Sequence, residues 1–296
     1  MVEIQPIDLN KKTVFVLGAG ANKPYGFPLG TELKQIMIKN LSNSDCQRAL
    51  KEYKLNQLLI DEFIEALPRT YHSTIDIFLE KKKFRKLGAY LIAYSLLPLE
   101  RYSRLFPQHN WYSRLYNIID FDHDKPKAEN IVFVVLNYDR SLEHFLYKNI
   151  QYNCPDNLIQ FAESKLKSLR IIHAHGSLGR YPQVPYEDKH GEDVIRSAAE
   201  NIRIASDRLE DSNDFRNAQE AISNAFNIVF IGFGYDPTTL HLLVQDFDMS
   251  EKRILGTGFQ LGNSERERLD KFFKGKMEIG ANGTTAEKFV QEFLLH

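Results

Sequence analysis

Cysteine is scarce in this chain of 296 residues, which has only Cys46 and Cys154. Two thiols cannot build a four-thiolate zinc site, and no Cys-x-x-Cys occurs. The pair reads as ordinary intracellular thiols. Excess charge of either sign is also missing: 38 Lys and Arg stand against 39 Asp and Glu, a net charge of −1. A chain whose main ligand is DNA or RNA carries a basic bias, so direct nucleic-acid binding is not expected. No uninterrupted apolar run reaches the roughly 18 residues that would suggest a membrane span. The opening stretch, MVEIQPIDLNKK, has no apolar segment of the secretory kind. No internal repeat or low-complexity tract appears. These absences lead to the expectation of a soluble, cytoplasmic protein. With 43% hydrophobic and 12% aromatic residues, the chain has material for a full core, and one domain over 1–296 is expected.

The chain is organised around residues 13–33, TVFVLGAGANKPYGFPLGTEL. Val14 to Leu17 is an apolar run that suits a buried strand. Gly18 and Gly20 follow, and a helical pattern opens at 29–41. Strand, glycine turn and helix is the layout that presents backbone N–H groups and a helix N-terminus to a phosphate. The spacing departs from Gly-x-Gly-x-x-Gly, because Lys23 stands at the third glycine position. A tight turn in any α/β protein accounts for Gly-Ala-Gly equally well. The connection at 21–28, however, is long and rich in Pro, Gly and aromatic residues, as for a loop that folds over something.

Further strands are predicted at 131–136, near 169–174, at 228–231, about 253–256 and near 276–279. Helices are predicted at 142–147, within 192–225, from about 238, at 263–273 and at 285–295. Between about 41 and 125 apolar residues recur only at helical spacing, which predicts a helical insertion. Within it, Ser73 or Thr74 is a candidate helix cap, with Asp76 in the first turn where the helix dipole favours a carboxylate. Strands alternating with helices predict an α/β, Rossmann-like parallel sheet with helices on both faces. Ligands of such sheets bind at the carboxyl ends of the strands. Each unusual polar or glycine cluster falls there: Gly18/Gly20, Asn137/Asp139, His175/Gly176, Gly232/Gly234 and Thr257/Gly258. Any one is explicable as turn chemistry, and five on one rim point to one large ligand.

Taken residue by residue, Asn137 reads as a helix cap or as a group that aligns a water without adding charge. His175 reads as a satisfied turn histidine or as a proton-transfer group, with an ordinary pKa of about 6.5 near working pH. His173, two residues earlier on the same strand, reads as a packed or supporting residue.

As a set, GAGAN at 18–22, NYD at 137–139, HGS at 175–177 and GFGYD at 232–236 resemble the sirtuin superfamily. They are most similar to its bacterial sirtuin-like branch, whose members hydrolyse NAD and often serve anti-phage defence. The stretch 73–79, STIDIFL, also resembles that branch, and the resemblance spans about 13–260. It implies that Gly18, Ala19 and Gly20 lie under the NAD diphosphate. Asn137 would hold the water or the nicotinamide-side ribose, and Asp139 would support the nicotinamide pocket. His175 would be the catalytic histidine. Gly232 and Gly234 would border the adenine-side ribose, with Thr257 and Gly258 nearby. Asn22 stands where the family often has serine and would still reach a phosphate or ribose.

The family's deacylating members carry a four-cysteine zinc ribbon after the HG motif, and residues 177–227 contain no cysteine. No zinc ribbon and no zinc are therefore expected. The resemblance implies an NAD glycohydrolase, with NAD as substrate, acting in anti-phage defence. Transfer of ADP-ribose or an acyl group, and nucleotide sensing without turnover, are the alternatives. A toxic NAD hydrolase must be restrained, so a homo-oligomer or a separate regulatory partner such as an ATPase is expected.

Overall fold

Six parallel strands form the centre of the molecule: β1 Thr13–Leu17, β2 Ile131–Val135, β3 Arg170–His173, β4 Asn227–Ile231, β5 Arg253–Gly256 and β6 Met277–Ile279. Their spatial order is β3-β2-β1-β4-β5-β6. The structure is a computed structural model. It describes residues 6–53, 56–70, 75–79, 82–107, 110–119, 127–153, 159–204, 212–244 and 248–294. Cys154 and the candidate caps Ser73 and Thr74 lie outside these residues.

The order follows from the sequence of β1. All five of its residues are buried. Phe15 and Leu17 enter one core while Val14 and Val16 enter the other. Only a central strand covered on both faces has such a uniformly apolar sequence. β1 pairs with β2 on one side and β4 on the other, Leu17 standing beside both Val135 and Ile231. The chain therefore builds outward in one direction from β1 to β3, then returns and builds the other way from β4 to β6. This is the Rossmann order, and the crevice between its halves lies at the carboxyl ends of β1 and β4.

The helices are α1 Gly30–Leu41, α2 Ser44–Glu52, α3 Gln57–Arg69, α4 Ile75–Leu79, α5 Arg85–Leu96, α6 Trp111–Ile119, α7 Ser141–Asn153, α8 Ile159–Ser168, α9 Glu192–Asn201, α10 Asn213–Asn224, α11 Pro237–Val244, α12 Asn263–Phe272 and α13 Ala286–Leu294. α10, α11 and α12 cover one face of the sheet, and the others contribute to the core on the opposite face. The insertion predicted at about 41–125 is α2 to α6, without a strand among its described residues. Its central helix, α5, is buried from Leu87 to Ala93, so it is apolar all round, as a helix enclosed by others must be. It packs against α1 and α9. The Tyr90 hydroxyl donates to both Glu192 carboxylate oxygens at 2.9 and 2.8 Å, joining insertion to α9.

Two details differ from the sequence reading. Among its described residues, the helical region 192–225 is two helices, α9 and α10. α8 was not anticipated, because it buries only Ala162 and Leu166 while Ile159 and Phe161 are exposed. Its apolar residues do not trace one face. Cys46 is fully buried on α2.

Candidate functional site

A cleft of about 200 Å³ opens at the carboxyl ends of the central strands. Gly18 and Ala19 line it from the end of β1, residues 136–139 from β2, His175 from β3, and Phe233 and Gly234 from β4. Phe27, Pro28, Gly30 and Leu33 close it from the loop and first turn of α1, with Leu96 of α5 and Thr239 of α11 at its borders. Among the residues expected to bind ligand, the structure thus brings together Gly18, Ala19, Asn137, Asp139, His175 and Gly234.

Asn137 continues directly from β2, and its side-chain amide donates to the Gly18 carbonyl at 3.0 Å. The strand end and the glycine turn are thereby held in register. Its Oδ1 accepts no hydrogen bond among the described residues and remains for a ligand.

His175 follows β3. Burial lowers its pKa to about 4, and a hydrogen bond to the Leu136 backbone opposes the shift. The Leu136 N–H is already donated to Leu17, so the imidazole donates to the Leu136 carbonyl. Nε2 is buried and has no partner among the described residues. The proton therefore sits on Nδ1, and Nε2 presents a lone pair. The His175 ring runs parallel to that of Phe215, 6.5 Å away, which fixes its plane. The reading of His175 as a satisfied turn histidine is therefore only half met: one nitrogen is satisfied and the other is not.

His173 lies behind this site. Its Nδ1 is 3.2 Å from the Asn137 carbonyl oxygen, and its Nε2 is 2.5 Å from the Glu143 carboxylate. Both partners are acceptors, so the ring is satisfied when it carries both protons. Burial alone would lower its pKa; the Glu143 charge and the two hydrogen bonds together outweigh burial and raise it. Two histidines two residues apart thus have pKa values moved in opposite directions, lowered by burial for His175 at the cleft and raised by Glu143 for His173, whose ring steadies the peptide after Asn137.

Asp139 touches the cleft but is otherwise fully engaged. The Asn22 amide donates to its two oxygens at 2.6 and 2.8 Å, and the Ser141 N–H donates at 3.1 Å. Burial pushes its carboxyl above the ordinary value, and these hydrogen bonds work against that rise. Arg140 turns away to Glu100, with both side chains fully buried. Its guanidinium also donates to the carbonyls of Val184 and Pro185 at 2.6 and 3.1 Å. The segment after β2 is therefore clamped to the insertion and to the loop beyond His175.

Five expected ligand residues are not among those lining the cleft. Asn22 is buried and turned inward, accepting the Tyr112 hydroxyl at 2.6 Å while holding Asp139. Gly20 N–H donates to the Gly232 carbonyl at 2.8 Å, and a Cβ at Gly20 would stand 2.9 Å from that oxygen. Gly232 has φ of +60°, and a Cβ there would lie 1.9 Å from the Ala21 nitrogen. These two glycines let the β1 and β4 turns touch, a packing need that by itself accounts for both. Thr257 accepts the Gly232 N–H on its hydroxyl at 2.9 Å and so braces that turn. Gly258 abuts the Gly280 carbonyl, and its own oxygen accepts from Arg266 at 3.0 Å. Gly234 differs from them all, since nothing lies within 4 Å of a Cβ built there.

The long loop after β1 is a 3₁₀ turn, Ala19–Tyr25, ended by Gly26 in the left-handed region. Its aromatic residue faces inward. Tyr25 stacks on Tyr112 with ring centroids 4.4 Å apart and donates to Asn110 at 2.7 Å. Trp111 Nε1 donates to the Ala21 carbonyl at 2.8 Å. After Ala19, Phe27 and Pro28 are the residues of this loop that line the cleft. The loop's composition therefore serves mostly to anchor it on α6, and only its last two residues stand where they would border a ligand in the cleft. Sequence reasoning included Phe27 and Pro28 only as part of the loop 21–28, and it missed Leu96 and Thr239. The Phe-Pro pair directly before the α1 pattern was the available signal.

Among the described residues, no group of His, Cys, Asp and Glu is placed to hold a metal ion, and no helix is long and apolar enough to cross a membrane. No family model matches the chain, and no curated protein matches it. What the chain shows is a Rossmann-like α/β fold with a cleft at its switch point.

Proposed function

We propose that the cleft binds the nicotinamide end of NAD and hydrolyses its glycosidic bond, giving ADP-ribose and nicotinamide. The observation that carries this reading is that Asn137, tied to the Gly18 carbonyl, and His175, whose buried Nε2 has no partner among the described residues, line one cleft. In the proposed step the bond between ribose C1′ and the pyridine nitrogen breaks, and its electron pair leaves with neutral nicotinamide. A water oxygen forms the new bond to C1′, and the proton it loses passes to His175 Nε2 and on to solvent. The Asn137 carbonyl oxygen aligns that water without placing a charge beside it. A histidine whose pKa is about 4 is neutral throughout the physiological range, so Nε2 is always available as acceptor. Its weakness as a base suits an attack on a centre that is already cation-like.

The enclosed volume, about 200 Å³, is below the roughly 300 Å³ at which ligand pockets usually begin. It suits one end of a dinucleotide, with the remainder running out past Gly234, where the backbone is open. Among the described residues the lining includes no Lys or Arg, and the Gly18 N–H is already donated to the Ile231 carbonyl, so a diphosphate would be met by the Ala19 N–H and the N-terminus of α1. The connection to anti-phage defence, with an oligomer or a regulatory partner, rests on the resemblance of the four motifs.

The test is nicotinamide release from NAD by the purified protein. His175→Ala and Asn137→Ala should each lower it by about 100-fold or more with the circular-dichroism spectrum unchanged. Full activity in either variant would overturn the assignment. Tight NAD binding by calorimetry with no turnover would favour a nucleotide sensor.

A further inference from the structure

Among the described residues the sheet ends at β3, and a second and larger cleft, about 830 Å³, runs along that edge. Residues 169–173 line it continuously, followed by Gly176 and Ser177. β3 pairs with β2, and the Ala174 N–H still donates across to Val135 at 3.0 Å. Backbone groups point alternately to the two sides of a strand. Those of Ile171 and His173 therefore face away from β2. The His173 carbonyl accepts the Gly176 N–H at 3.1 Å. The Ile171 N–H, the Ile171 carbonyl and the His173 N–H have no partner among the described residues. A row of unpaired main-chain groups is a template for another strand, and sheets ordinarily cover it or guard it with charge.

Charge supplies a second, independent observation. Arg170, Arg180 and Arg203 all line this cleft, are exposed, and make no ion pair among the described residues. Of the acids in the lining, Glu143 is paired with His173 and Glu163 with Lys167, which leaves Asp214 alone. Three free arginines against one free carboxylate give the groove a local positive character that the chain as a whole lacks.

We infer that this edge receives an extended, acidic segment of a partner protein, which adds as a seventh strand beside β3. Main-chain bonds to Ile171 and His173 would set its register, and its carboxylates would meet the arginines. A second copy of the chain pairing edge to edge would bring arginines against arginines, which disfavours it. A nucleic acid would satisfy the arginines but leave the strand's N–H and C=O row without a matching backbone. The inference does not depend on the NAD reading, because the groove is separate from the cleft of Asn137 and His175.

The probe is the peptide acetyl-Glu-Val-Glu-Val-Glu-amide, titrated into isotope-labelled protein at low salt and followed by amide resonances and hydrogen exchange. Shifts at Ile171 and His173, slowed exchange of the Ile171 amide, and weakening by at least tenfold on raising the salt are expected. The double variant Arg170→Glu/Arg203→Glu, with exposed substitutions that should leave the fold intact, should lose binding tenfold or more. The inference is overturned by an absence of shifts at millimolar peptide, by equal binding of the lysine analogue, or by shifts without protection of the Ile171 amide. It is also overturned if a single-stranded oligonucleotide binds more tightly than the peptide, or if the edge pairs with a second copy of the chain instead.

Discussion

The side-chain amide of Asn22 donates to both carboxylate oxygens of Asp139, at 2.6 and 2.8 Å. This one contact joins the turn after β1 to the segment after β2, and it is what keeps a buried carboxylate solvated by protein. Asn22→Ala should leave both Asp139 and the Tyr112 hydroxyl short of a partner. The expected cost is about 1–3 kcal/mol, read as a lower urea midpoint with unchanged slope.

His175 gives a pH signature. Its folded pKa is about 4, below the roughly 6.5 of an unfolded histidine. Between these values the unfolded chain binds a proton that the native state refuses. This group's contribution to stability therefore falls as pH drops from about 6.5 to about 4 and is level below. Comparing urea midpoints of the wild type and His175→Gln from pH 7 to pH 4 should show a shallower decline in the variant. On the proposed mechanism, kcat/KM for nicotinamide release stays level through neutrality and falls only as pH approaches 4.

His173 has the opposite sign. Its folded pKa is raised by its ion pair with Glu143. The stability it lends is fully present below about pH 6.5 and is lost as pH rises through the folded value. The gap in unfolding free energy between wild type and His173→Gln should therefore narrow toward alkaline pH. Nitrogen-15 spectra should show both ring nitrogens of His173 protonated under conditions where His175 carries one proton.

Glu100 and Arg140 form an ion pair with both side chains fully buried. Removing one partner strands the other charge, so Glu100→Gln should destabilise by about 3–5 kcal/mol. The double variant Glu100→Met/Arg140→Leu should recover much of that loss, because apolar groups of similar volume need no partner. Chemical denaturation of the two variants side by side tests this.

The sheet was legible because its strands are buried on both faces. Runs such as TVFVL and IVFVV have no other use in a chain of this composition, and glycine or asparagine closes each one. The rim was legible for the same reason: Asn137 and His175 stand one or two residues past strands whose ends were clear. What could not be read was direction. Asn22 in the turn after β1 and Thr257 just past β5 are polar residues near strand ends as Asn137 is, yet they turn to Asp139 and to the Gly232 N–H. That choice is made by Tyr112 and Gly232, 90 and 25 residues away. Gly20 and Gly232 likewise looked like ligand glycines, because sequence cannot distinguish a backbone approached by a phosphate from one approached by another backbone. Leu96 was invisible as a cleft residue, since it belongs to an insertion whose docking is a matter of tertiary packing.

Asn110, Trp111 and Tyr112 open α6 and hold the turn after β1 from below through Tyr25, Ala21 and Asn22. The insertion is therefore not a portable module. Exchanging it with another helical cap would require the turn and Asp139 to be exchanged with it, and a chimera that moved the helices alone would lose the shape of the rim before it lost the sheet.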